Sequence, residues 1–144
     1  MKFDSRTGAV KIKGLRFYPW QPLSELQELE AAHFTQPLIS NGEWRTYRWK
    51  MEDAVLDFVF QAGWLWMAQI ALLIPEDKAN TYSSANGQKR HALHQAFLRR
   101  SLDGREKLAA ANGAFVEACW DPRNEDSTIV IDYHKVSKHS QPSC

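Results

Sequence analysis

Four sets of side chains in this sequence have the types and spacing to do chemistry. His91 and His94 stand three apart. On a helix that spacing turns both imidazoles to one side, where they can share a metal ion. No third ligand follows at a motif spacing, so two surface histidines are expected. Asp121, Glu125 and Asp126 crowd into "DPRNED" (121–126), with Asp132 close behind. Paired carboxylates do acid–base work when one is held in a dry pocket that shifts its pKa. Three of these four lie where Asp, Pro and Asn shape a turn for backbone reasons. The stretch therefore reads as a turn, with Asp121 and Pro122 setting the bend.

Cys119, His134 and Asp132 can be imagined as a nucleophilic triad. Cys119, however, falls inside a strand pattern and not on an activating turn or helix N-terminus. Lys89, Arg90, Arg99, Arg100, Arg105 and Lys107 outnumber Asp103 and Glu106, which gives the stretch 88–107 a net charge of +4. Without interleaved aromatics or a recognised motif, a solvated helix face is the expectation. No P-loop, GxGxxG, GxSxG or HExxH is present. No catalytic, cofactor-binding or metal-binding residue is assigned.

The elements that must position these groups follow from periodicity. "DSRTG" (4–8) is a turn signal between Phe3 and an alternating run in which Val10 and Ile12 oppose Lys11 and Lys13, a pattern that predicts a hairpin. "YPWQP" (18–22) breaks the chain. "SELQELEAAHF" (24–34) predicts one short helix, capped by Ser24 with Gln27, with Leu26, Leu29 and His33 on one face and Glu25, Glu28 and Glu30 in its early turns. Residues 44–51 and 55–60 alternate as strands: Tyr47, Trp49 and Met51 oppose Thr46, Arg48 and Lys50, and Leu56, Phe58 and Phe60 oppose Asp57. "WLWMAQIALL" (64–73) is apolar on both faces, as in a central strand covered on both sides. A polar loop (75–87) precedes the clearest helix, 88–102, with Leu93, Phe97, Leu98 and Leu102 as its stripe and Asp103–Gly104 as its stop. "AFVEACW" and "STIVIDYH" close the chain as a hairpin. The order predicts an α+β fold: a mainly antiparallel sheet with two helices packed on one face. One domain spans 1–134, and 135–144 reads as a polar, loose tail.

The totals restrict function. The chain has 144 residues, 44% of them hydrophobic, enough to bury a core. Eighteen basic residues against 17 acidic give a net charge of +1, which is no footprint for general nucleic-acid binding. Six Trp is high for this length; core filling is expected for most, with some free for an interface. Cys119 and Cys144 read as free thiols in a reducing compartment. The N-terminus shows no apolar leader, and the longest apolar stretch, residues 62–74, is too short to span a bilayer. A cytoplasmic protein is expected.

Two segments carry a resemblance. "FDSRTGAVKIKGLRFYPWQPLSELQEL" (3–29) and "FVEACWDPRNEDSTIVIDY" (115–133), with the central hairpin between them, resemble the opening and closing patterns of small bacterial immunity proteins of contact-dependent growth inhibition and other polymorphic toxin systems. The match is one of spacing over about residues 3–133. It departs where relatives carry a Trp-Gly step and this chain has Ala118–Cys119–Trp120. The resemblance implies a non-enzymatic protein, without cofactor, that binds a cognate toxin domain and blocks it in the cytoplasm. Glu25, Glu28, Asp121, Glu125 and Asp126 are the acids that would meet a basic toxin cleft. Replacing Glu125 and Asp126 with Ala is expected to leave the fold intact. The alternatives are a small enzyme or ligand-binding domain with a pocket between sheet and helices, or a nucleic-acid accessory protein using the basic helix.

Overall fold

The computed structural model describes residues 1–79 and 83–137. Two antiparallel sheets form its frame. A small one joins β1 (Lys2–Phe3), β2 (Val10–Ile12) and β3 (Leu15–Phe17). Its first turn is closed by Asp4, whose Oδ1 accepts from the backbone N–H groups of Arg6 and Thr7. The same two bonds hold the Asp4 carboxyl below its ordinary pKa. Val10 and Ile12 are buried and Lys11 exposed, as the alternation predicts.

The large sheet has seven strands: β4 (Ile39–Asn41), β5 (Trp44–Lys50), β6 (Ala54–Gln61), β7 (Trp64–Leu72), β8 (Lys107–Ala109), β9 (Phe115–Asp121) and β10 (Asp126–Asp132). Their order across the sheet is β4-β5-β6-β7-β10-β9-β8. The architecture is therefore α+β and mainly antiparallel sheet. β6 and β7 form the long hairpin, turning at Ala62 (φ 50°) and Gly63 (φ 85°), both left-handed, as a two-residue turn matched to strand twist requires. The final two runs pair residue for residue from Asp121↔Asp126 to Phe115↔Asp132.

Helices and small sheet all pack on one face of the large sheet, here called inner. α1 (Leu23–Leu29) and α2 (Ala31–Phe34) replace the single predicted helix, because the chain leaves helical geometry at Glu30 (φ −143°, ψ 59°). Pro22, and not Ser24, stands at the N-cap, with no side-chain cap bond. Leu26 is buried, but Leu29, expected beside it, is 64% exposed. Phe34 reaches the inner face, its ring 5.3 Å from Phe58 and 5.9 Å from Tyr47. Phe17 of β3 meets Phe58 edge-on at 5.2 Å. A 3₁₀ turn (Pro75–Ala79) leads toward α3 (Ser84–Ser101). α3 begins four residues earlier than periodicity suggests, because Ser83 caps it by accepting from the Asn86 N–H. The helix ends where predicted, with Asp103 and Gly104 in left-handed conformations.

Order continues past residue 134. Val136 is 2% exposed, and its carbonyl accepts from the Trp20 indole N–H at 2.7 Å. Most of the expected tail, including Cys144, lies outside the described residues. Among those described, no helix is long and apolar enough to cross a membrane.

Candidate functional site

Of the groups singled out by type, His91, His94, Arg90 and Asp126 come together, on the inner side and with one another. Leu72, the last residue of β7, donates its N–H to His94 Nε2 at 3.0 Å. That bond fixes the tautomer: a neutral His94 must carry its proton on Nδ1. Nδ1–H then donates to Ser127 Oγ at 2.9 Å, and the Ser127 hydroxyl donates onward to His91 Nδ1 at 2.7 Å. The spacing of three does turn both imidazoles to one side, but onto a serine. His94 has no exposed surface, so the expectation of two surface histidines fails for it. Burial, and then the charge of Arg90, lowers the His94 pKa to about 4.

Arg90 is also buried, at 8% exposure, and is no part of a solvated face. Its guanidinium grips Asp77 through two bonds of 2.5 and 3.0 Å, Asp126 at 2.9 Å and the Leu72 carbonyl at 2.5 Å. Arg90 holds the Asp77 carboxyl below its ordinary pKa. The remaining basic run is broken up further, since Lys89 pairs with Glu76 and Arg99 with Glu106. Asp126 is thus a structural ion-pair partner. The turn it ends is seated against α3: a Cβ on Gly87 would collide with the Glu125 carbonyl. Replacing Glu125 and Asp126 with Ala would therefore remove one of the acceptors of the buried Arg90.

The other proposed anchors divide. Glu25 accepts from the Tyr18 hydroxyl at 2.7 Å and from Gln21 at 3.2 Å, so it is occupied internally. Glu28 is exposed. Asp121 accepts from the Arg123 N–H and the Asn124 amide within its turn. Glu125 is exposed, in a left-handed conformation (φ 49°). The two acidic sets stand apart. Leu23 of α1 bonds the Gly63 carbonyl at the start of β7, whereas Arg90 and Asp126 meet its end at Leu72. Nine residues of strand separate them by roughly 26 Å. Burial, with the charge of Glu117, pushes the Cys119 thiol up to about 11, away from the range of activated cysteines. His134 Nδ1 lies 2.5 Å from Asp132, a contact local to the strand end.

What sequence reasoning missed is the other face of the sheet. Ile39, Thr46, Val59, Met67, Asp132, Phe115 and Ala109 stand side by side across all seven strands. Arg48, Asp57, Gln69, Val130, Glu117 and Lys107 form the next row. Not one of these residues is buried, while their inner-facing neighbours Leu56, Phe58, Ile70, Ile129 and Ile131 have no exposure at all. No described element covers this outer face. At one end it carries an aromatic edge: Trp66 meets Trp44 edge-on at 5.0 Å and His134 at 5.6 Å. Trp44 and Trp64 are each more than one-third exposed; Trp120 is as exposed but lies on the inner side, where it meets His91 at 5.6 Å, while Trp20 is buried and Trp49 and Trp66 pack partly buried against the core. Core filling is therefore not the role of most. β7 is apolar on both faces without being covered on both, and that mismatch was the available signal. A wide, partly apolar sheet face with clustered Trp suits recognition of another protein.

No family model, curated protein or solved structure matches this chain.

Proposed function

We propose that this chain is a non-enzymatic immunity protein that binds a cognate bacterial toxin domain through the outer face of its sheet and neutralises it in the cytoplasm. The observation that carries the binding part is the uncovered seven-stranded face with Trp44, Trp66, Met67 and Phe115 on it. Aromatic anchors on a rigid surface are the usual energetic centre of a tight protein interface. The toxin part rests on the pattern shared with immunity proteins over residues 3–133.

The test is to look for a toxin domain encoded beside this chain and to co-express the two. Wild type is expected to restore growth, and W44A/W66A, if it keeps its melting temperature to within a few degrees, is expected to fail. Persistent growth inhibition with wild type sinks the proposal. Full protection by W44A/W66A removes the outer face from it.

A ligand-binding reading stands second. A hollow of about 840 Å³ lies beside Met51, Val55, Leu73 and Ile74, a volume suited to a small molecule. Its charged lining is largely engaged elsewhere: Lys13 pairs with Asp53, and Asp77 with Arg90.

A further inference from the structure

Charge separates the two halves of the open face. On the β5–β6 half, Arg48 and Asp57 neutralise each other through two bonds of 2.8 and 2.9 Å. On the β9–β10 half, among the described residues, Glu117 has no ion pair and accepts only from the Cys119 thiol at 3.4 Å, and Lys107 of the edge strand stands opposite it in register. Asp132 meets His134 at 2.5 Å, and His134 leads into the aromatic edge at Trp66. Cys119 shares this half and reports its field. After burial, the charges of Glu117 and Asp132 both disfavour its thiolate. Asp132, which His134 links to the Trp66 indole, and Glu117 on the neighbouring strand suit guanidinium or ammonium groups, which gain ion pairs on the acids and a cation–π contact at the indole. Several acids elsewhere are held more fully within the chain. Glu25 is bonded by Tyr18 and Gln21, and Asp77 and Asp126 by Arg90.

We infer that the occupant of the outer face is a protein surface bearing arginine or lysine side chains, which lie over the β9–β10 half against Glu117 and Asp132 and beside Trp66. This rests on the docking reading above and adds the partner's chemistry to it. It also replaces the acids of α1 and of the last turn with a different pair.

The test titrates the full chain with a nona-arginine peptide at low salt, followed by amide NMR, with nona-glutamate as the control and E117Q/D132N alongside. The expected shifts fall on residues 115–119 and 128–134 and on the Trp66 indole N–H. Affinity is expected to drop about tenfold in E117Q/D132N and to fall as salt rises. Shifts centred on Glu25 and Glu28, shifts indifferent to the double substitution, or self-association of the chain through this face overturn the inference. The neutralisation assay keeps the two failures apart. Protection lost in W44A/W66A but kept in E117Q/D132N leaves the docking face standing and removes the cationic partner.

Discussion

The inner cluster around Arg90 and the outer face around Trp66 make opposite use of their residues. The inner cluster holds the types that suggest chemistry: two histidines, a serine, an arginine and two aspartates. Each is taken up in bonds within the chain that tie α3, the end of β7 and the start of β10 together. The outer face holds types that suggest a core, and they are left in water. Residue type alone therefore does not say which groups are taken up inside the chain and which stay in water. A buried polar group must find its partners inside the protein, whereas an exposed apolar one need not.

The largest effect that can break this comparison is expected at Arg90. R90M leaves Asp77, Asp126 and the Leu72 carbonyl without their shared donor. Removing one partner from a buried ion pair costs several kcal/mol, here about 4. Urea unfolding checks it, and a change below about 1 kcal/mol would mean that the cluster is not structural.

Acidification comes next. His94 titrates at about 4 in the folded chain and near 6.5 when unfolded. Between those values the unfolded chain holds a proton that the folded chain refuses. Stability is whole above about pH 6.5, declines as pH falls and levels off below about 4, a total of about 3 kcal/mol. Asp77, whose folded pKa is depressed, adds its own loss only below the usual carboxylate range. Unfolding free energies across this window should flatten in H94Q. An unchanged slope would place the titration elsewhere.

The smallest effect tests the last turn. D126A removes one acceptor from Arg90 and is expected to cost about 2 kcal/mol. E125A alters an exposed side chain and should stay within about 0.5 kcal/mol. Thermal melts separate the two, and equal values would contradict the seating of this turn on α3.

Much of the frame was legible in the chain. Alternation at 44–51, 55–60 and 127–134 marked strands and, in the first two, sorted residues into two faces, and the Asp103–Gly104 stop ended α3. The short strands β3, β4 and β8, of three residues each, carry too little pattern to announce themselves. The break at Glu30 has no Pro or Gly to signal it. The outer face was half visible, since Thr46, Arg48 and Asp57 were assigned to the wet side; its apolar members were not recognised as exposed.

By itself, then, the sequence determined which residues share a face, because a strand's side chains alternate whatever lies above them. Only the tertiary structure decided which face is covered. That depends on where the connections carry the helices, and here α1, α2, α3 and the small sheet all return to the same side. It also decided that Arg90 and His94 are interior, because Gly87 lets α3 approach the last hairpin closely enough for their side chains to reach Leu72, Asp126 and Ser127.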